Sequence, residues 1–92
     1  MDVFAQLAES IIKEQETIIG PVAFEQALRV PGLKVDQKTH KVTLDGNNKE
    51  ILEKLVKQYE QLFGRTSIEV CKEAVRETKV NISKDDLPDI LK

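Results

Sequence analysis

The chain holds one cysteine, Cys71, one histidine, His40, no tryptophan and four aromatic residues in all. A lone thiol excludes an internal disulfide, and with it any zinc site built on paired cysteines. With only Phe4, Phe24, Tyr59 and Phe63 as aromatics, the core has to be assembled from Leu, Ile, Val and Ala. The four glycines, Gly20, Gly32, Gly46 and Gly64, each stand alone at a boundary, so no glycine-rich loop is available to cradle phosphate. No Ser or Thr occupies a nucleophile-elbow pattern.

Charge of one sign is also lacking. Fourteen Lys and Arg face sixteen Asp and Glu, for a net charge of −2. A surface of mixed sign does not suit a polyanion as partner. No apolar run approaches the roughly 20 residues that span a bilayer. The opening MDVFAQLAES carries an acid where a secretory signal carries bases, so a cytoplasmic location and no membrane partner are expected. In that setting the glycosylation pattern from Asn81 to Ser83 carries no meaning.

What is present fits one small domain. Ninety-two residues suffice for one core, burying roughly 60–65% of the unfolded surface. The expected fold is mostly α: about four helices, with one short two-stranded β-hairpin between the second and third. The hairpin lies near 33–44 within a domain of residues 1–78, and 79–92 forms a tail that is either a short packed helix or mobile.

Asp2 is the expected cap of the first helix. Phe4, Leu7, Ala8, Ile11, Ile12, Ile18 and Ile19 recur at three- and four-residue steps in a stripe broken only by Gln15. Outside the stripe, Glu9 is one turn from Lys13 and can pair with it. Gly20-Pro21 then interrupts the pattern. Proline fits the first position of a new helix, so a second helix from Pro21 to about Val30 is preferred to one kinked helix. Ala23, Phe24, Ala27 and Leu28 form its apolar face. After Pro31-Gly32 the period changes to two, with Leu33 and Val35, then Val42 and Leu44, alternating with polar residues.

Asn47 or Asn48 is expected to cap the third helix. Its stripe is the clearest in the chain: Ile51, Leu52, Leu55, Val56, Tyr59, Leu62 and Phe63. Glu50–Lys54 and Glu53–Lys57 lie outside it, and Gly64 is the expected stop. Thr66 and Glu69 have capping-box spacing for a fourth helix, whose inward residues are Ile68, Cys71, Ala74 and Val75.

Few residues call for chemistry. His40 lies among Lys38, Thr39 and Lys41, which are poor metal ligands, and reads as an exposed turn residue. Cys71 on an inward helical position reads as a small hydrophobe with a raised pKa. The third and fourth helices joined at Gly64 outline a helix-turn-helix, but Glu69, Glu73 and Glu77 beside Lys72 and Arg76 oppose phosphate contact. Asp85-Asp86 reads as solvated or as a cap. No catalytic constellation emerges, and no metal or cofactor is implied.

Two stretches suggest binding. Around the bend, Ile18, Ile19, Val22 and Phe24 cannot all point into one groove; they are either a contact surface or core. In the tail, Leu87, Ile90 and Leu91 among acids are either a docking segment or a turn packed on its own domain. The expected role is a non-enzymatic protein-interaction or regulatory module, with self-association part of that reading. The alternative is a small-ligand or sensor domain with a cavity between the first helix, the third helix and the hairpin. A DNA-binding regulator comes third.

Overall fold

Helix α1 spans Val3–Ile19, and its stripe is buried from Leu7 to Gln15. Leu7, Ala8, Ile11 and Ile12 are all but inaccessible, and so is Gln15, the one polar residue in the stripe. The computed structural model describes residues 3–36, 38–39, 41–78 and 84–91. The expectations for Asp2, His40 and the Asn81–Ser83 stretch fall outside the described residues.

Gly20 ends α1 with φ +76°, its N–H bonded to the Glu16 carbonyl at 2.8 Å. A second helix, α2, spans Val22–Ala27, so the chain bends sharply between two helices as expected. Two details differ. Pro21 sits one place earlier than predicted, flanking α2 with φ −57° rather than opening it. The helix also ends at Ala27, three residues short of Val30. The last turn tightens instead, with Arg29 N–H bonded to Gln26 and Val30 N–H to Ala27, both at 3.1 Å.

Strands β1 (Leu33–Val35) and β2 (Val42–Leu44) pair antiparallel, Leu33 opposite Leu44 and Val35 opposite Val42. These four side chains share one face and pack on the helices, while Lys34 and Thr43 face water. Two strands alone are marginal in water, and the hairpin is secured by more than its apolar face. The Glu9 carboxylate accepts the Val42 N–H at 3.1 Å, tying β2 to α1. Glu9 therefore serves a strand 33 residues away rather than the Lys13 pairing its helical spacing suggested.

Helix α3 spans Asn48–Phe63. Asn47 caps it, its side-chain oxygen accepting the Glu50 N–H at 3.0 Å, and Gly64 stops it at φ +84°. Both predicted ion pairs form, Glu50–Lys54 and Glu53–Lys57, each at 3.2 Å. Helix α4 spans Thr66–Glu77, but the capping box does not form. Gly64 already makes the turn, and the chain is helical again at Arg65 (φ −64°, ψ −26°). Thr66 is thus the first helical residue, not an extended one whose hydroxyl could reach back.

The tail closes the fold. Its 3₁₀ turns, Lys84–Asp86 and Asp89–Leu91, are followed by no further described element, and the second packs on α3 and α4. Leu87, Pro88 and Leu91 are buried, and the Lys49 ammonium donates to the Asp85 carbonyl at 3.0 Å. Residues 84–91 thus complete the core that α1, α3 and α4 begin. The architecture is a four-helix domain with a two-stranded hairpin between α2 and α3. No described helix is long and apolar enough to cross a membrane.

Candidate interaction surface

The apolar stripes of α1 and α3 run further than the core does. On α1 the last buried stripe residue is Gln15; Ile18, three residues on, is 61% exposed. On α3 the last is Tyr59; Leu62 and Phe63, three and four residues on, are 50% and 40% exposed. Two polar anchors place these overruns at the same end of the molecule. Gln15 Nε2 donates to the Ser67 carbonyl at 3.1 Å and to Cys71 Sγ at 3.4 Å, joining the end of α1 to the start of α4. The Tyr59 hydroxyl donates to the Ala23 carbonyl at 2.7 Å, joining the last turns of α3 to the start of α2.

Val22, next to Ala23, is also exposed. Ile18, Val22, Leu62 and Phe63 therefore come from three elements whose ends meet around the bend at Gly20 and the turn at Gly64. Single exposed apolar residues are ordinary, but four large ones gathered at one end are not.

The seven residues singled out by sequence divide unequally. Ile18 and Val22 are exposed. Ile19 and Phe24 are half-buried and pack against the core. In the tail Leu87 and Leu91 belong to the core, and Ile90 packs on it, so the docking-segment reading of the tail gives way to a turn packed on its own domain. That segment covers apolar surface of α3 and α4, and burial is where its leucines are most stable. Leu62 and Phe63 were expected inside. Their position on the α3 stripe is as read, but the stripe outlasts its neighbours, and periodicity alone does not measure the length of what packs against it.

Behind this surface the polar anchors are dry. No buried side-chain nitrogen or oxygen among the described residues lacks a partner. Burial pushes the Cys71 thiol up from 9.0 to about 11, with the Gln15 hydrogen bond pulling the other way. Burial, and then the neighbouring Cys71, push the Tyr59 hydroxyl far above its ordinary 10.0. At neutral pH Cys71 is a protonated thiol without nucleophilic character.

An alkaline limit on stability follows. Below about pH 9 the thiol is neutral whether the chain is folded or not. Between 9 and about 11 the unfolded chain loses that proton while the folded one keeps it, so stability falls with rising pH. The gap corresponds to roughly 3 kcal/mol, with Tyr59 adding to the loss above pH 10. Urea unfolding from pH 7 to 11 is expected to be flat at first and then to decline. Cys71→Ala should flatten the decline between 9 and 10, and an unchanged slope in that variant would place the loss elsewhere.

Helix α4 is poorly equipped for phosphate. Lys72 lies 4.0 Å from Glu69, and Arg76 pairs with Glu73 at 3.0 Å. Comparison of the chain with protein-family models, with curated proteins and with solved structures finds no match.

Proposed function

We propose that this protein is a non-enzymatic interaction module that associates with a second copy of itself through Ile18, Val22, Leu62 and Phe63. The observation that supports this reading is the overrun of two apolar stripes onto one shared end, while Leu28 is the one other large apolar side chain among the described residues that stands exposed. A small domain gains roughly 25 cal/mol for each Å² of apolar surface it covers, and leaving four such side chains in water forgoes that gain. A second copy restores it.

Charge also supports a two-fold pairing. Glu60 and Arg65 flank Leu62 and Phe63 along the chain. Two copies related by a two-fold axis can set the acid of each beside the base of the other. The patch is small against the roughly 800 Å² per partner of a standard interface, so the expected dimer is weak and concentration-dependent.

Sedimentation equilibrium over a wide concentration range tests the reading. The wild-type chain is expected to show a reversible monomer–dimer equilibrium. Ile18→Asp and Phe63→Asp should each weaken it by about tenfold or more, since each puts a charge into a desolvated contact. Leu28→Asp, at an exposed aliphatic on the far end of α2, is the control that should leave it unchanged. A strictly monomeric wild type, or a dimer indifferent to both substitutions, would remove the proposal.

A further inference from the structure

On the flank of the molecule, one face of α1 forms a groove with α2 and β2. Its α1 wall is Glu9, Ile12, Lys13 and Glu16, positions that recur at three- and four-residue steps and so lie along one side of the helix. Phe24 of α2 and Val42 of β2 complete it, around a volume of about 250 Å³. Ile12 and Val42 are buried, so the floor is apolar and the charges stand on the rim. The cavity expected between the first helix, the third helix and the hairpin thus lies against α2 instead of α3.

The rim charges are not consumed by one another. Lys13 is ion-paired with neither Glu9 nor Glu16. Glu9 is committed to the Val42 N–H at 3.1 Å. Lys13 and Glu16, three residues apart, therefore present an ammonium and a carboxylate on adjacent positions, with about 5–6 Å between their Cβ atoms. Beside them lies an apolar strip of Ile12, Phe24 and Val42.

We propose that this groove binds a small apolar α-amino acid in its free, zwitterionic form. The carboxylate of such a ligand meets the Lys13 ammonium. Its own ammonium, one carbon away, meets the Glu16 carboxylate, and its side chain lies on Ile12, Phe24 and Val42. An amine alone would leave Lys13 unmatched, an acid alone would leave Glu16 unmatched, and glycine would leave the accessible part of Phe24 uncovered. The volume suits a metabolite and falls below the roughly 300–1,000 Å³ of drug-sized sites. Each rim contact is solvent-exposed and contributes little by itself, so affinity in the millimolar range is expected.

The test is a titration of the ¹⁵N-labelled full chain, followed by amide chemical shifts, with L-leucine, L-phenylalanine, phenethylamine, 3-phenylpropionate and glycine. Saturable shifts are expected at Val42, Lys13 and Phe24 with leucine or phenylalanine, and weaker or none with the other three. Lys13→Ala and Glu16→Gln should each raise the dissociation constant about fivefold while leaving the spectrum otherwise folded. Lys13 is exposed and Glu16 half-buried, and neither belongs to the core, so loss of fold does not confuse the result.

Absence of saturable shifts with both amino acids would overturn the proposal. Equal binding of phenethylamine that is insensitive to Lys13→Ala would also overturn it, leaving an apolar cation site in its place. Neither result bears on the apolar end, because Ile18→Asp and Phe63→Asp change self-association without touching the groove.

Discussion

Replacing Gln15 with glutamate is expected to destabilise the protein by roughly 3–5 kcal/mol at pH 7, although the two side chains have nearly the same shape. Gln15 is 1% exposed and acts there as a donor, to the Ser67 carbonyl and to Cys71 Sγ. A carboxylate has no proton to give. It would set a negative charge against a carbonyl oxygen and a sulfur at a position that is 1% exposed. The folded chain would hold that carboxyl protonated, with its pKa raised by burial.

The sign of the pH dependence follows from that. Relative to wild type, the variant's deficit is smallest below about pH 4.3, where the carboxyl is protonated in both folded and unfolded chains. It grows as pH rises through the folded-state value, because the unfolded chain ionises first. Gln15→Leu is the informative companion. The Ser67 carbonyl lies inside α4 and keeps its helical partner, so leucine orphans no acceptor and should cost about 1 kcal/mol or less. Paired urea unfolding at pH 7 and pH 4.5 checks both variants. A glutamate variant as stable as wild type at pH 7 would mean that water reaches this position.

Gln15 also shows how much could be read before the structure. Its place in the α1 stripe was visible as a polar break in an apolar row, and a break of that kind marks either a solvent-facing gap or a buried hydrogen bond. Choosing between them needs the partner, and Ser67 lies 52 residues away. The helices, the bend at Gly20-Pro21, the hairpin, an asparagine cap at Asn47 or Asn48 and the Gly64 stop were all legible, because each rests on local signals within a few residues.

The misreadings share one cause. Helical spacing lets Glu9 pair with Lys13 on the same helix, whereas the Val42 strand N–H makes the stronger claim. Thr66 looked like a cap, but the glycine two residues earlier had already turned the chain. Leu62 and Phe63 continued a stripe that no neighbour was long enough to cover. Leu87 and Leu91 looked available in a polar tail, yet α3 and α4 offered them cover. For the candidate surface, sequence located the bend and half of its apolar residues. The α3 half followed only from Tyr59 reaching Ala23.

The two glycines that open and close the α2 segment should respond very differently to alanine, even though both have positive φ. At Gly20, φ is +76° and an added Cβ meets nothing within 4 Å. Gly20→Ala is therefore left with the backbone term alone, about 1–2 kcal/mol. At Gly32, φ is +85° and the added Cβ would lie 2.7 Å from the Asp45 carbonyl oxygen and 2.9 Å from Ile51 Cδ1. The isoleucine methyl can rotate away, but the carbonyl cannot. Asp45 is held to Gly32 by its own N–H, bonded to the Gly32 carbonyl at 2.7 Å. Relief requires opening the mouth of the hairpin, which adds an overpacking cost of about 1–3 kcal/mol to the backbone term and gives a total of about 2–5 kcal/mol. Because that mouth sets how β2 lies on α1, Gly32→Ala should also loosen the Glu9–Val42 hydrogen bond. Faster amide exchange at Val42 in Gly32→Ala but not in Gly20→Ala is the expected signature. Similar losses of stability in the two variants would instead show that the backbone term dominates at both positions and that the hairpin yields without cost.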